Sequence, residues 1–73
     1  MRADDMIREI DPNVELTVTD LTFAPKTTCL RTKNVGDFTI NDLLFLKGYD
    51  VCSLTLTQKG QIWLKVAKRD EED

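Results

Sequence analysis

The stretch VCSLTLTQKGQIWLKV, residues 51–66, alternates apolar and polar side chains on either side of a short polar turn. Two alternating runs that flank Gln-Lys-Gly predict a β-hairpin with a three-residue loop in which Gly60 is left-handed. This loop sets a register in which apolar residues of the two strands face each other: Cys52 with Val66, Leu54 with Leu64 and Leu56 with Ile62. A slip of one residue in either strand would destroy that apolar face, so the pattern itself supports the register.

The second face of the predicted hairpin is polar, yet it carries the single tryptophan of the chain. The same register pairs Thr57 with Gln61, Thr55 with Trp63, Ser53 with Lys65 and Val51 with Ala67. One interpretation is that the first helix or a loop covers Trp63, or that its ring packs on the stems of its threonine and lysine neighbours. The other is that Trp63 is an exposed binding anchor, because tryptophan is enriched among the residues that dominate protein interfaces. The sequence alone leaves both interpretations open.

A helix is predicted directly before the hairpin, within DFTINDLLFLKG, residues 37–48. Thr39 is a natural N-cap, and Asp42, three residues later, can complete a capping box with it. Because the segment that follows the cap is apolar on nearly every side, we expect much of this helix to be buried.

The first half of the chain predicts a second helix and two strands. RADDMIREI, residues 2–10, has apolar residues at helical spacing and ends before Pro12. VELTVT, residues 14–19, alternates strictly and predicts a half-buried strand. TTCLRTK, residues 27–33, is rich in β-branched threonine and predicts another strand.

The segment between these strands, DLTFAPK, residues 20–26, contains a proline that excludes a central strand. We expect it to be a loop with Phe23 tucked inward. In the strand that follows, Arg31 and Lys33 are expected to share a face with Cys29, which would keep that face partly wet.

These elements together predict an α+β fold: a small antiparallel sheet that contains the C-terminal β-hairpin, with two short helices. At 73 residues the chain has the length of one domain of the smallest self-supporting size. We assign residues 1–69 to this domain. Residues 70–73, with the sequence DEED, are expected to be an acidic, disordered tail.

The composition argues against catalysis and against a metal or cofactor. The chain has no histidine, so neither Ser53 nor the cysteines have the usual general base for nucleophilic catalysis. Without histidine or a Cys-x-x-Cys pair, the sequence lacks a conventional zinc ligand set. We therefore expect no enzyme activity and no cofactor, and reduced, half-buried thiols at Cys29 and Cys52.

Neither a membrane span nor a secretion signal is visible in the sequence. No apolar run approaches the roughly 20 residues needed to cross a bilayer. The first ten residues, MRADDMIREI, lack the apolar centre of a signal peptide. We therefore expect a cytoplasmic location and no membrane partner.

The charge of the domain is nearly balanced, because residues 1–69 carry ten basic and nine acidic side chains. Affinity for nucleic acid comes largely from neutralised phosphates, so we expect little direct nucleic-acid binding. Lys26, Arg31 and Lys33 form a compact basic cluster. It is either a phosphate-binding patch or a solvated strand edge whose charges oppose aggregation.

Residues 33–66, KNVGDFTINDLLFLKGYDVCSLTLTQKGQIWLKV, resemble the swapped-hairpin domain of AbrB and MazE type transcription factors and antitoxins. The shared elements are a strand, Gly36 before DFTI, a short helix, the GYD bend and a hairpin with Gly60. The resemblance implies a DNA-binding regulator or antitoxin that works as an intertwined dimer. Where family members usually carry arginine after the glycine and proline at the helix start, this sequence has Asp37 and Asn41.

The chain as a whole, in its length, its acidic tail and its composition, resembles the small regulators of host RNA polymerase that phages encode. This resemblance implies a monomer that binds subunits of bacterial RNA polymerase in the host cytoplasm. It also implies inhibition of initiation and promotion of antitermination, with a transcription elongation factor as a further candidate partner.

We take the polymerase regulator as the leading hypothesis and the dimeric AbrB-like regulator or antitoxin as its alternative. The leading hypothesis places the partner-binding site on an exposed hairpin face around Trp63 and Lys65, with help from Arg31 and Lys33. Oligomeric state separates the two hypotheses. A third hypothesis, an acidic mimic of nucleic acid, ranks last because the acidic residues are interleaved with basic ones except in the tail.

Overall fold

The computed structural model describes residues 1–69, which form two short α-helices, one 3-10 turn and four strands. In chain order these are α1 (Ala3–Arg8), β1 (Glu15–Asp20), β2 (Thr28–Asn34), the 3-10 turn (Val35–Asp37), α2 (Ile40–Leu46), β3 (Tyr49–Leu56) and β4 (Ile62–Lys68). The α+β class, the two short helices and the C-terminal hairpin are thereby confirmed. The acidic tail predicted for residues 70–73 lies outside the described residues.

The four strands form one sheet in the order β2-β1-β4-β3. β1 pairs antiparallel with β2, and β3 with β4, but the two inner strands β1 and β4 run parallel. The sheet is therefore mixed, where the sequence had predicted antiparallel pairing throughout. Alternation along a strand reports which side chains face a core. It carries no information on the direction of a neighbouring strand that is distant in sequence.

Both helices contribute to one core on the same face of the sheet, which we call the helix-covered face. The core contains eight buried residues, Ala3, Ile7, Leu16, Val18, Leu46, Tyr49, Leu64 and Val66. Because side chains alternate along a strand, those of Thr17, Thr19, Trp63 and Lys65 lie on the other side of the two inner strands. We call that side the open face, because neither helix packs against it.

The hairpin formed by β3 and β4 keeps the predicted register near its turn. The predicted pairs are Ser53 with Lys65, Leu54 with Leu64, Thr55 with Trp63 and Leu56 with Ile62, and all four are present. Gly60 is left-handed, with a φ of 78°. The register changes at Cys52, which is an extra residue in β3, so Val66 pairs with Val51 and not with Cys52. The bulge preserves the apolar pairing because Val51 supplies the side chain that faces Val66.

A second irregularity, in β2, separates two side chains that were expected to share a face. Arg31 pairs with the core residue Val18, whereas Cys29 pairs with Thr19 of the open face, so Leu30 is an extra residue between them. Arg31 therefore lies on the helix-covered face and Cys29 on the open face. Both cysteines are free thiols, as predicted, but both are exposed rather than half-buried.

The capping box predicted for the second helix is present at the start of α2. The Asp42 amide donates to Thr39 Oγ1 at 3.2 Å, and the Thr39 amide donates to the Asp42 carboxylate at 2.9 Å. The expectation that much of this helix is buried is wrong. Three of its apolar side chains are exposed, those of Ile40, Leu44 and Phe45. A single short helix packs on a sheet with one side only, so its remaining apolar side chains stay in solvent.

The loop between β1 and β2 is present as predicted, but Phe23 is exposed rather than tucked inward. Two tight turns shape this loop: the Ala24 amide donates to the Leu21 carbonyl and the Lys26 amide to the Phe23 carbonyl, each at 3.0 Å. The Leu21 amide also donates to the Val66 carbonyl at 2.7 Å, which holds the start of the loop beside the end of β4, and Phe23 remains in solvent.

Candidate functional site

Trp63 lies on the open face, where it pairs with Thr17 of β1 on one side and with Thr55 of β3 on the other. Its side chain is 41% exposed. The indole Nε1–H donates a hydrogen bond of 2.7 Å to Thr19 Oγ1, and Thr19 is itself buried. Trp63 is therefore anchored to the sheet while part of its ring remains available to a partner.

Lys65 follows Trp63 on the same face of β4. Its ammonium nitrogen lies 4.5 Å from the centroid of the Trp63 ring, which is within the range of a cation–π interaction. In the neighbouring strands Lys65 pairs with Thr19 and Ser53, so no carboxylate lies directly opposite its charge. The two residues predicted to form the centre of the binding surface thus lie together.

Hydroxyl groups surround Trp63 on the open face. The neighbouring strands contribute Thr17, Thr19, Ser53 and Thr55, and Thr32 of β2 lies one strand further out, paired with Thr17. The proximity of the β1 threonines to Trp63 is not visible in the sequence, because the bond between Thr19 and Trp63 joins residues 44 positions apart. The available signal was the strict alternation in residues 14–19, which puts both β1 threonines on the polar side of that strand.

Arg31 and Lys33 lie on the helix-covered face, where they hold the start of α2 against β2. Arg31 Nε donates to Asp42 Oδ1 at 2.7 Å, and Lys33 Nζ donates to Asp42 Oδ2 at 2.5 Å. The Arg31 guanidinium also lies 4.7 Å from the ring centroid of Phe45, and the Lys33 ammonium lies 5.2 Å from that of Phe38. Both cations are thus engaged by α2 and by the residues that lead into it.

The carboxylate of Asp42 is buried and strongly stabilised in its charged form. The hydrogen bond from Lys33 is the largest of the effects that hold the pKa of Asp42 well below its ordinary value, and the Thr39 amide and Arg31 add to it. Asp42 is therefore fully ionised at neutral pH, where it balances charge on both cations.

The four residues of the sequence hypothesis consequently do not form one surface. Trp63 and Lys65 lie on the open face, whereas Arg31 and Lys33 lie on the other side of the sheet. Arg31 and Lys33 were expected to help form the Trp63 surface. The structure instead places them beside α2, where their charges hold the start of that helix. The candidate site is the part of the open face centred on Trp63 and Lys65.

Comparisons with protein-family models, with curated proteins and with solved structures found no match for this chain. Residues 1–69 contain no enclosed pocket and no group of three or more side chains placed to hold a metal ion. Across the same part of the chain, none of the helices combines the length and the apolar character that crossing a membrane requires.

Proposed function

We propose that the protein is a transcription regulator that binds bacterial host RNA polymerase through protein–protein contacts, and thereby inhibits initiation and promotes antitermination. The observation that carries the proposal is the anchored, partly exposed Trp63 on a sheet face without a covering helix. The resemblance to phage-encoded regulators supports the choice of polymerase as the partner. The proposal places the protein in the bacterial cytoplasm as a monomer, with a transcription elongation factor as a second candidate partner.

The geometry of Trp63 favours a role as the anchor of a protein interface. Tryptophan combines a large apolar surface with few rotatable bonds, so it gains contact area at a small cost in conformational entropy. Here the hydrogen bond to Thr19 and the contact with Lys65 further restrict the ring before a partner arrives. A preorganised anchor of this kind retains more of its interaction free energy as affinity.

The distribution of positive charge supports protein binding over nucleic-acid binding. Affinity for a nucleic acid grows with the number of phosphates that basic side chains neutralise. Arg31 and Lys33, two of the three residues in the predicted basic cluster, are bound to Asp42 on the helix-covered face. On the open face, the positive charge beside Trp63 is that of Lys65.

Trp63→Ala is expected to weaken binding to purified bacterial RNA polymerase by about 30-fold or more, the effect of losing one interface hot spot. The free energy of unfolding should fall by about 1–2 kcal/mol, less than for a fully buried aromatic residue, because truncation removes the partly buried ring surface and one hydrogen bond. Fluorescence-labelled protein titrated with polymerase gives the affinity, and urea unfolding gives the stability.

Phe23→Ala is the matched control for this experiment. It removes another exposed aromatic side chain, which lies in the loop between β1 and β2, and it should leave the affinity unchanged. Equal binding by wild type and Trp63→Ala would overturn the assignment of Trp63. A loss of several kcal/mol in stability, the range for emptying a buried aromatic site, would show that Trp63 acts as a core residue.

The effect on transcription is measured with the same variants. Wild-type protein should reduce promoter-dependent initiation in a purified system and increase read-through of a terminator by polymerase that is already elongating, and Trp63→Ala should do neither at the same concentration. A dimer in sedimentation that binds duplex DNA and leaves polymerase unbound would contradict the proposal and favour the AbrB-like regulator or antitoxin.

A further inference from the structure

Within residues 1–69, β3 is an edge strand, with β4 on one side and no full strand on the other. The N-terminus covers the beginning of its outer edge. The Val51 amide donates to the Met1 carbonyl at 2.9 Å, and Arg2 forms an isolated antiparallel bridge with Asp50. The N-terminal residues thus already pair with the outer edge of β3 like a short added strand, but they extend only as far as the bulge.

Beyond the bulge, the outer edge of β3 presents backbone groups that have no partner within residues 1–69. The Thr57 amide donates to the Gln61 carbonyl at 2.8 Å, so this pair is hydrogen-bonded across the hairpin. In an antiparallel ladder every second pair is hydrogen-bonded, and Thr55 therefore also directs its backbone groups toward β4. The amides and carbonyls of Leu54 and Leu56 point the other way, away from the sheet.

The side chains at the same two positions are apolar and unusually exposed. Leu54 and Leu56 lie on the helix-covered face, opposite Leu64 and Ile62. The helices do not reach this corner of the sheet, and Leu54 is 42% and Leu56 68% exposed. Natural edge strands are usually protected by charges, proline, a bulge or a covering segment. In β3 the cover and the bulge protect the strand only as far as Cys52, and residues 53–56 carry neither a charge nor a proline. This edge therefore has the features of a site that accepts another strand.

The net charge of the hairpin indicates what kind of strand fits. Residues 49–68 contain three lysines, Lys59, Lys65 and Lys68, and one acidic residue, Asp50, which lies before the bulge and binds Arg69. Residues 1–48 carry eight acidic and six basic side chains. The hairpin is thus the positive part of an acidic protein, and it attracts a segment of opposite charge.

We propose that the free edge of β3 binds an extended acidic segment of the polymerase, with apolar side chains at alternate positions, as a fifth strand of the sheet. The backbone groups of Leu54 and Leu56 would hold it, and its apolar side chains would cover the two leucines. This inference rests on the proposed function and specifies how the same hairpin engages its partner: Trp63 contacts the folded surface beside the added strand.

Leu54→Pro tests the backbone contribution, with Leu54→Ala as its matched control. Both variants lose the leucine side chain, but only proline also removes the outward amide, and proline is tolerated on the free side of an edge strand. Leu54→Pro should bind polymerase at least tenfold more weakly than Leu54→Ala. Amide NMR spectra establish that both variants are folded. Equal affinities of the two folded variants would overturn the inference.

Hydrogen exchange of the wild-type protein tests the same edge without a mutation. The amides of Leu54 and Leu56 should exchange at least tenfold more slowly when a peptide of alternating glutamate and leucine is added, and a peptide of alternating lysine and leucine should have no such effect. Unchanged exchange with both peptides, or equal protection by both, would contradict an acidic added strand.

The two experiments separate failure of the inference from failure of the proposed function. If polymerase binding is lost in Trp63→Ala but is equal in Leu54→Pro and Leu54→Ala, the function stands and the added strand does not. If wild type fails to bind polymerase but the acidic peptide protects Leu54 and Leu56, the edge site stands and its assignment to polymerase fails. A concentration-dependent dimer that Leu54→Pro abolishes would identify a second copy of the chain as the occupant and overturn the inference.

Discussion

Leu64→Ala is expected to lower the free energy of unfolding by about 2–5 kcal/mol, the range for emptying a buried leucine site. Leu64 is completely buried and lies on the inner strand β4, where it pairs with Val18 of β1 and Leu54 of β3. Truncation leaves a cavity that the surrounding strands can only partly close. Since small domains have about 5 kcal/mol of stability to lose, urea unfolding should show a variant that is marginal or unfolded.

Leu56→Ala is the matched control, because it makes the same change on the same sheet face. Leu56 is 68% exposed, so its truncation should change stability by no more than about 0.5–1 kcal/mol. Leu64→Val, which removes one methylene, should cost about 1 kcal/mol and remain measurable if Leu64→Ala does not fold. Similar losses for Leu64→Ala and Leu56→Ala would show that the corner around Leu56 is covered in solution.

Asp42→Ala is expected to lower the free energy of unfolding by about 2–4 kcal/mol, somewhat less than for a fully buried ion pair because water partly screens the cations. The variant loses one side of the capping box and leaves Arg31 and Lys33 without their carboxylate. The side chains of these cations are 34% and 31% exposed, respectively. The loss is measured by urea unfolding at neutral pH.

Asp37→Ala removes the same charge from an exposed position just before α2, and it should change stability by less than about 0.5 kcal/mol. Because the folded protein lowers the pKa of Asp42, the carboxylate contributes its full stabilisation above the unfolded pKa of about 3.9. The difference between wild type and Asp42→Ala should therefore be constant above about pH 5 and should shrink as the pH falls below about 4. A difference that stays constant down to pH 2 would contradict the ionised-carboxylate account.

The two sides of the sheet are expected to have different roles, one in stability and the other in binding. Leu64 and Asp42 hold the helices on one face, so changes there should reduce stability and impair binding only through unfolding. Trp63 and the outer edge at Leu54 have exposed surface, so changes there should reduce binding in a protein that remains folded. Measuring both stability and binding for each variant therefore distinguishes the two roles.

The local features of the fold followed from the sequence because they depend on residues a few positions apart. The turn around Gly60 sets the hairpin register by its length, and the Thr39 and Asp42 cap forms within a single helical turn. The position of Trp63 beside Lys65 on a polar strand face belongs to the same class, since alternation along one strand places both side chains on one side.

The two bulges could not be predicted from side-chain alternation. One extra residue in a strand reverses the face that the following side chains occupy. The amino-acid sequence around Leu30 and Cys52 contains no feature that predicts an extra residue at either position. The bulge at Leu30 separated Arg31 from Cys29 and the open face. Alternation along β2 also does not say whether Arg31 shares a side of the sheet with Trp63 of β4, and its guanidinium binds Asp42 on the side opposite Trp63.

By itself, the sequence determined the α+β class, the helix cap, the hairpin turn and the face on which Trp63 lies. Only the tertiary structure decided that β1 runs parallel to β4 and that Thr19 anchors Trp63. It also decided that Leu54 and Leu56 lie beyond the cover of the helices. The physical reason is that side-chain periodicity is a property of one strand, whereas pairing partners and burial depend on which distant segments meet and how far each extends over the other.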